Sequence, residues 1–522
     1  MFVKITKAKD RKYVQLVRSF RQDGKVKHEV VLNLGRLDIE ENHKMIKGLA
    51  ASLAKAAGIG LDFSSLSGGN IFNYGFIVYK KLWESLGMPD ILKRISGQID
   101  YSLNDASFLM SITHLLDPRS KLSAYNHKDR YFNLPDVKLH NMYRSLDILS
   151  ENKQKIEDYL FYRNKDLFNL SLDIVFYDVT TFYFESVKKD SLKDFGFSKD
   201  NKLNEVQVVM GLLVDKNGMP VGYELFPGNT YEGKTLESSL LKLKKRFNID
   251  RIIVVADKGM NSKINLEKIK DMGFNYIISS RLKSMDKELL KKVLSSEDFI
   301  HDKNYDYKKI ELEDKNLIVT YSDERAKNDG KKREKLIKKA TKYTSNPSLI
   351  KSSNKRGGKK YIENIGECSY SLDEEAILKD KAFDGYYAVE TNDLELSPKE
   401  IISNYGMLWK IEESFRIMKS TMEVRPIFHW TEERIKGHFM ACFLSFLLER
   451  NLEFKLKEKN IDCSPERIKE ALNSMNFAEV KHNDKSHFIK MNTLELSNKI
   501  LKALSIKPFK NNLSLKEFSA HF

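Results

Sequence analysis

The sequence is poor in cysteine and has no long apolar run. Its 522 residues include only three cysteines, which follow no metal-ligand spacing and no disulfide framework: Cys368, Cys442 and Cys463. No continuous apolar segment is long enough to span a bilayer, which needs about 20 residues. The opening residues also lack the apolar segment of a secretory signal. These absences predict a protein of the reducing cytoplasm that does not cross a membrane.

Acidic residues are outnumbered, and the excess of positive charge is concentrated in two segments. The chain has 89 Lys and Arg against 73 Asp and Glu, a formal net charge of +16. Residues 331–360 hold twelve basic residues and one acid, and residues 1–30 hold nine and three. Clustered cations are typical of proteins that bind nucleic acid. A solvated lysine-rich loop is the alternative. Lys331, Lys332 and Arg333 are the candidate DNA contacts in the first segment.

Two apolar segments end on or contain an aspartate. One runs from Asp173 to Asp178 and continues to Phe184, and the other runs from Arg251 to Asp257. Continuous apolar runs of this length predict central strands that are covered on both faces. An aspartate at the carboxyl end of such a strand lies at the rim of an α/β sheet, where these folds bind ligands.

The segments around these aspartates predict a mixed sheet. Strands at 206–214 and 219–226 flank an Asn-Gly turn at 215–218. A helix at 235–247, the strand ending at Asp257, a helix at 263–272 and a strand at 276–280 follow. The order β, β, β, α, β, α, β, with antiparallel pairing first, is that of an RNase H-like sheet. The predicted fold class is therefore α/β with an RNase H-like core.

A helix at 404–420 carries the third acid. At 100° per residue, one arc contains Tyr405, Leu408, Glu412, Arg416 and Lys419. The adjoining arc is apolar and contains Met407, Ile411, Phe415 and Met418. The pattern predicts one helix that holds a carboxylate, flanked by cations, at the rim of the core.

Asp178, Asp257 and Glu412 together indicate metal-dependent phosphoryl transfer. Two divalent ions about 3.5–4 Å apart activate the attacking oxygen and stabilise the leaving one in such enzymes. Mg²⁺ prefers a few carboxylates together with water and phosphate oxygens. Arg416 and Lys419 are placed to bind a phosphate beside such a site. The alternative is that the aspartates are caps or turn formers and that Glu412 is an exposed charge.

The remaining segments predict six regions. Alternation at 13–20 and 27–34 predicts a basic β-hairpin, and helical periodicity covers 71–86, 103–116 and 141–162. The predicted regions are a β-hairpin with a helix at 1–60, a helical region at 61–165 as a possible DNA-end-binding domain, the core at 166–282 and 384–450, an insertion at 283–383, and a helical region at 451–522.

Several motifs resemble the DDE transposases of bacterial insertion sequences. Tyr405, Glu412 and Lys419 match the signature Y-x2-R-x3-E-x6-K, whose arginine position holds Leu408; Arg416 and Lys410 are the candidate replacements. Further segments resemble the family: Phe176–Phe182, Phe226–Thr230, Val255–Gly259, His429-Trp430 and Gly437-His438.

The resemblance implies a transposase with Asp178, Asp257 and Glu412 as catalytic and metal-binding residues. It implies two Mg²⁺ ions, for which Mn²⁺ substitutes, and double-stranded DNA as partner, both transposon ends and target. It further implies a homodimer in the synaptic complex and action on bacterial chromosomal DNA. Tyr405 joins the DNA-binding candidates. A hairpin intermediate with a flipped base is a further expectation, and the candidates to hold that base are Tyr305, Tyr307, Tyr321 and Tyr343.

Two other functions are compatible with the same residues. One is a different RNase H-like metal-dependent nuclease, such as a resolvase. The other is an inactive DNA-binding relic, against which the intact acid triplet argues. Inverted repeats flanking the coding sequence distinguish the transposase from the nuclease.

Overall fold

The described residues of the computed structural model divide into two units. The described ranges are 2–8, 11–22, 25–57, 67–132, 134–168, 174–196, 204–247, 252–303, 305–350, 356–366, 369–424, 427–482 and 485–519. The smaller unit comprises 1–72, 476–492 and 509–522, and the larger comprises 73–475 and 493–508. No helix within these ranges has the length and apolarity that crossing a membrane requires.

A three-stranded antiparallel sheet opens the smaller unit. The elements of this segment are β1 (Phe2–Ala8), β2 (Arg11–Gln22), β3 (Lys25–Arg36), α1 (Glu40–Ala56) and β4 (Ser67–Asn73). The predicted hairpin corresponds to β2 and β3, which pair from Tyr13↔Arg36 to Gln22↔Lys25. Strand β1, which the periodicity did not indicate, pairs along the free edge of β2.

Helices dominate the first part of the larger unit. They are α2 (Phe76–Ser85), α3 (Met88–Ile95), α4 (Leu103–Leu116), α5 (Lys121–Asn126), α6 (Leu139–Glu151) and α7 (Lys153–Phe168). Helix α4 has the predicted bounds. The helix predicted at 71–86 is too long, because 67–73 is a strand. The helix predicted at 141–162 is two helices, since the first ends at Asn152, whose amide N–H donates to the Ile148 carbonyl.

The predicted mixed sheet follows. Its first elements are β5 (Ile174–Tyr183), β6 (Gln207–Asp215), β7 (Pro220–Pro227), α8 (Glu232–Phe247), β8 (Ile253–Ala256), α9 (Lys263–Asp271) and β9 (Asn275–Ser279). Strands β5, β6 and β7 pair antiparallel, whereas β8 pairs parallel with β5 and with β9. This arrangement confirms the predicted α/β, RNase H-like core.

The Asn-Gly turn between β6 and β7 forms as predicted. The Asp215 carboxylate is fully buried and accepts hydrogen bonds from the amides of Asn217, at 2.9 Å, and Met219, at 2.7 Å. Gly218 has φ +80°, a conformation that a residue with a side chain rarely adopts.

Residues of the predicted insertion extend the same sheet. The elements here are α10 (Lys287–Leu294), β10 (Ile300–His301), β11 (Asp306–Glu311), β12 (Asn316–Tyr321), α11 (Asp323–Ser345), β13 (Ile362–Gly366), β14 (Ser369–Leu372), α12 (Glu374–Lys381) and β15 (Tyr386–Thr391). The spatial order of strands is β10-β11-β12-β15-β9-β8-β5-β6-β7. Helices α11 and α12 instead pack around a small separate core at Ala340, Tyr361 and Ile362. The domain boundaries at 283 and 383 stay a prediction.

The helix predicted at 404–420 is broken. Helix α13 (Pro398–Gly406) ends before Met407, and α14 (Trp409–Arg416) starts after it and runs into a π-helical turn at Ile417–Thr421. Tyr405 therefore lies on a different helix from Glu412. The apolar arc remains, because Ile411, Phe415 and Met418 are buried.

Helix α15 (Glu432–Glu458) is the centre of the core. It packs against α4 and α6 on one side. On the other side Phe439 contacts Phe182 of β5, with ring centroids 5.2 Å apart, and Phe443 contacts Tyr223 of β7 at the same separation. A helix that is covered on both sides needs apolar residues all round.

The C-terminal residues contain strands as well as helices. The elements are α16 (Pro465–Asn473), β16 (Asn476–His482), β17 (Lys485–Lys490), α17 (Glu495–Ala503), β18 (Asn512–Ser514) and α18 (Leu515–Ser519). Strands β16, β17 and β18 form a sheet with β4 in the smaller unit. Phe518 is buried there against Phe488, with stacked rings 4.1 Å apart.

The close approach of α15 to α6 predicts a sensitive position. A Cβ at Gly437 would lie 2.0 Å from the Leu146 carbonyl oxygen. We expect Gly437→Ala to lower the free energy of unfolding by about 1–3 kcal/mol, since the two backbones must separate. Urea unfolding measures the change. Gly48→Ala is the control, because a Cβ there meets nothing within 4 Å and alanine favours a helix by about 1 kcal/mol. Equal stability of the two variants would contradict the prediction.

Candidate active site

The register of two parallel strands brings Asp178 and Asp257 together. Tyr177 of β5 is paired with Ala256 of β8, so that the next residue on each strand is an aspartate. Neighbouring strands lie about 4.8 Å apart. Asp178 is half-buried, and its Oδ1 accepts from the Val179 amide at 2.7 Å. Asp257 directly follows the last residue of β8 and is exposed.

Glu412 lies on the helix that covers the same face of β5. Successive residues of a strand point to opposite faces. Tyr177 faces α8, since its hydroxyl donates to Thr235 Oγ1 at 2.7 Å. Asp178 therefore shares the opposite face with Phe182, the face against which α14 and α15 pack. Glu412 is exposed in the first turn of α14. The structure thus places all three predicted acids around one edge and one face of the sheet.

The three acids are not as tightly grouped as ligands of a single ion. Among the described residues, the one group of three metal-ligating side chains with ligand atoms all within 4.8 Å is His114, His438 and Cys442. Two ions about 3.5–4 Å apart span a wider set of carboxylates than one ion does. Asp257 directly follows β8, Asp178 lies beside it on β5, and we call this part of the sheet the acid edge. The ligand atoms there are carboxylate oxygens that water reaches, which fits Mg²⁺. The metal-binding role of the three acids stays a prediction.

Tyr405 lies beside Asp257 although it is on α13. Its hydroxyl is 2.6 Å from the hydroxyl of Tyr387, the second residue of β15. Burial raises the pKa of Tyr405 above its usual range, and the neighbouring Tyr387 and the charge of Asp257 raise it further. Ser279 lies next to Asp257, because Ala256 pairs with Ile278, and its hydroxyl near the two tyrosines acts to lower the pKa of both. Tyr387 and Ser279 are members of the site that the sequence did not single out.

The signature arginine position and the cations on α14 and in the turn after it lie in different surroundings. Leu408 is buried at the signature arginine position. Lys410 donates to the Lys216 carbonyl, on the side of the turn after β6. Arg416 is exposed and donates to Glu413 at 3.3 Å. Lys419 lies over the ring of Phe182, with its Nζ 5.7 Å from the centroid. Of these residues, Lys419 is therefore the one placed on the face of β5 that Asp178 shares.

The basic segment is largely helix α11, and its residues face in different directions. Lys331 and Lys332 are exposed. Arg333 is mostly buried and forms an ion pair with Asp384, which raises the pKa of Arg333. Residues 351–355 lie outside the described ranges. Lys331 and Lys332 thus remain candidate DNA contacts, whereas Arg333 is engaged within the protein.

A cleft of about 830 Å³ leads from the acid edge to α11. It is lined at one end by Gly259, Ser279 and Tyr387 and farther along by residues of α11 and by Tyr361. The four tyrosines proposed to hold a flipped base are not among its described lining residues; Tyr321 instead packs against Tyr386, with the two rings tilted by 58°. Nothing in the geometry selects one of the four.

The group of His114, His438 and Cys442 is a polar cluster inside the core. Lys121 Nζ lies 2.9 Å from His114 Nε2, so this nitrogen is already engaged with a side chain of the protein. Burial lowers the pKa of Lys121 to about 8 and raises that of Cys442 to about 12. Cys442 and Cys463 are free thiols, and Cys368 lies outside the described residues. The nitrogen and sulfur atoms of His114, His438 and Cys442 are poor ligands for Mg²⁺. In its ligand chemistry the cluster therefore differs from the acid edge.

The histidines around this cluster predict loss of stability in acid. Burial, together with the nearby charges of Lys121 and Arg434, lowers the pKa of His429 to about 3. The unfolded chain binds a proton below about pH 6.5 whereas the folded state does not, so stability falls as the pH falls below that value, by about 1.4 kcal/mol per pH unit.

We therefore expect His429→Gln to lose less stability than the wild type between pH 7.5 and pH 5, as measured by urea unfolding at each pH. His140→Gln is the control, since His140 is exposed and its replacement is expected to leave the pH dependence unchanged. Parallel pH profiles of His429→Gln and the wild type would refute the expectation.

Comparison with models of protein families identifies two matches. The model described as transposase DDE domain matches residues 170–448, and the model described as IS1634 family transposase, N-terminal domain, matches residues 3–64. The first match includes Asp178, Asp257 and Glu412 and covers more than half of the chain. A comparison with curated proteins gives no match.

Comparison with solved structures gives distant similarities. A cryo-EM structure of the piggyBac transposase synaptic complex with hairpin DNA is 10% identical, with a TM-score of 0.38, and the alignment covers 78% of this chain and 81% of that chain. The Mos1 transposase paired-end complex with left transposon end is 11% identical, with a TM-score of 0.16, over 33% of this chain and 57% of that chain. The Mos1 mariner paired end complex with Mn is 14% identical, with the same TM-score and coverage.

Proposed function

The chain belongs to the transposase DDE domain family, and on that premise we propose that it binds the terminal inverted repeats of an insertion sequence and moves the element by cut and paste. Family membership makes it an enzyme of DNA transposition that acts on phosphodiester bonds. The proposal adds the substrate, the metal and the residues. It places the reaction in the bacterial cytoplasm, on chromosomal DNA.

The juxtaposition of Asp178 and Asp257 is the observation that supports the proposal best. Two carboxylates on adjacent parallel strands, with Glu412 on the helix over the same face, offer oxygen ligands from three separate elements. Such a constellation needs no histidine as general base when metal ions are bound, since the ions lower the pKa of bound water. The two exposed acids leave room for the water ligands that Mg²⁺ retains.

We assign Asp178, Asp257 and Glu412 to hold two Mg²⁺ ions, or Mn²⁺ in their place. When bound, the ions supply Lewis-acid activation of the attacking oxygen and stabilisation of the leaving oxygen. The residues of the chain hold the carboxylates in position. Strand pairing fixes the backbones of the two aspartates, and the buried Ile411 and Phe415 fix the helix that carries Glu412.

The charge distribution supports DNA as the partner. The chain carries a net charge of +16, and Lys331 and Lys332 are exposed on α11. Cations of this kind bind phosphates whatever the base sequence, so that binding weakens as salt rises. Arg416 and Lys419 are proposed to contact phosphates nearer to Glu412. A homodimer that pairs two ends, and a hairpin at the cleaved end, complete the proposal.

Replacing Asp257 tests the catalytic assignment. We expect Asp257→Asn to reduce strand cleavage of a duplex carrying the flanking inverted repeat by at least about 1000-fold, because transition-state charge stabilisation is worth several kcal/mol. Binding to the same duplex, measured by fluorescence anisotropy, is expected to stay within about threefold. Glu288→Gln is the matched control, since Glu288 is an exposed acid on α10. Cleavage by Asp257→Asn at the control's rate would show that Asp257 is not catalytic.

Metal exchange tests the cofactor separately. Chelation with EDTA is expected to abolish cleavage, and either Mg²⁺ or Mn²⁺ is expected to restore it, because oxygen ligands suit both ions. Ca²⁺ is expected to support DNA binding without cleavage, because its coordination distances are longer and its geometry is more variable. Product gels report each condition and also show whether a hairpin forms. Full activity in EDTA would exclude the metal assignment.

A further inference from the structure

A pair of hydrogen-bonded tyrosines borders the acid edge. Tyr387 and Tyr405 come from different elements, yet their hydroxyls are 2.6 Å apart. The charge of Asp257 contributes to raising the pKa of both side chains. Tyr387 is the second residue of β15, which runs antiparallel beside β9, and it lies at the same edge of the sheet as the two aspartates. A ring held in this way offers a rigid face next to the acids.

An arginine lies on that face. The guanidinium carbon of Arg325 is 4.3 Å from the centroid of the Tyr387 ring. Arg325 is the third residue of α11, which begins directly after β12, and the end of β12 pairs with the start of β15 at Tyr321↔Tyr386. The sheet therefore fixes the point from which α11 leaves and brings this side chain to the edge. Stacking on an aromatic ring suits the planar guanidinium and not an ammonium group.

The hydrogen-bonding groups of Arg325 are weakly engaged within the protein. Among the described residues its ion-pair partner is Asp329, at 3.8 Å, beyond hydrogen-bond length. Its side chain is 47% exposed, and it lines the cleft that starts at Gly259 and Ser279. Three other cations that line the cleft are paired more closely: Arg333 with Asp384, and both Lys283 and Lys360 with Asp380.

The cations of α14 do not supply the same position. Lys410 is directed to the Lys216 carbonyl and Arg416 to Glu413. Lys419 lies over Phe182 on the face of β5, whereas Arg325 approaches from the β9 and β15 side. A phosphate at the acid edge would therefore contact Arg325 on the β9 and β15 side, where α14 supplies no cation.

We propose that Arg325 binds a phosphate of the DNA strand held at the Asp178 and Asp257 edge, and that Tyr387 and Tyr405 position its guanidinium. The fork of N–H donors matches two phosphate oxygens. The inference rests on the proposed function, because it takes DNA as the ligand. It assigns a phosphate-binding residue outside the core segments that carry the three acids.

The first test is the rate of strand cleavage of a duplex that carries the flanking inverted repeat. Arg325→Ala is expected to lower the rate about 10- to 100-fold at saturating DNA, the effect of losing a hydrogen bond between charged groups. Arg325→Lys is expected to recover only part of it, since an ammonium neither stacks nor forms a fork. Lys327→Ala is the matched control, being an exposed cation two residues along α11. Wild-type rates for Arg325→Ala would overturn the inference.

The second test separates phosphate binding from a structural role. Single neutral methylphosphonates replace each phosphate within three nucleotides of the cleavage site. In the wild type, neutralising the contacted phosphate is expected to cost about 10- to 100-fold, and in Arg325→Ala the same substitution is expected to cost less than threefold further, because partners in one interaction are not additive. Full additivity at every position would overturn the inference, even if Arg325→Ala were slow because its fold is disturbed.

A third variant tests the positioning role. Tyr387→Leu removes the stacking face, and we expect it to slow cleavage and to add little to Arg325→Ala in the double variant. Additive effects would overturn the role of Tyr387. Failure of the proposed function itself is distinguishable: wild-type protein that leaves the repeat uncut in Mg²⁺ would refute both proposals, whereas cleavage by the wild type and unimpaired cleavage by Arg325→Ala refutes only this one.

Discussion

The parallel pairing of β5 with β8 is the constraint on which the site depends. Tyr177 opposite Ala256 makes Asp178 and Asp257 neighbours, and Ala256 opposite Ile278 makes Asp257 and Ser279 neighbours. A shift of one residue in either pair would turn the affected side chains to the other face of the sheet. The register is held by burial on both faces, since the four residues of β8 are all buried. Nearly every feature of the acid edge is therefore a consequence of core packing.

The same packing explains why the third acid reaches the edge from a distant segment. Helix α15 fills the space between the sheet and helices α4 and α6, and its Phe439 rests on Phe182. The remaining surface of that face of β5 is available to α14, which seats Ile411 and Phe415 in the core and leaves Glu412 outside. Gly437 lets α15 approach the Leu146 carbonyl, so a glycine in the second turn of one helix contributes to the placement of an acid on another.

Local patterns were enough to predict the strands that precede the two aspartates and the turn between β6 and β7. The apolar runs before Asp178 and Asp257 have the composition of buried strands, and the Asp-Lys-Asn-Gly segment encodes its own turn through Asp215 and Gly218. The break between Tyr405 and Glu412 was not predictable in this way, because the whole segment keeps a helical apolar arc. Its cause is tertiary: Tyr405 forms a hydrogen bond with Tyr387 on the sheet, whereas α14 follows the face of β5 and β6. The contact of Arg325 with Tyr387 was not predictable for a similar reason, since the two residues are 62 positions apart in the sequence.

The two roles of positive charge in helix α11 follow from its direction. The helix starts at the acid edge and runs along the cleft, so that one side faces the small core around Ala340 and Tyr361 and the other faces solvent. A cation on the inner side must be paired to offset the loss of its hydration, as Arg333 is with Asp384. Cations on the outer side, such as Lys331, keep their hydration and lose little when a phosphate replaces water. Arg325 belongs to neither group, because its guanidinium lies over an aromatic ring while its carboxylate neighbour, Asp329, is 3.8 Å away, beyond hydrogen-bond length. A guanidinium held by a ring keeps its full charge for a ligand, whereas a carboxylate partner would compete with a phosphate for the same donors.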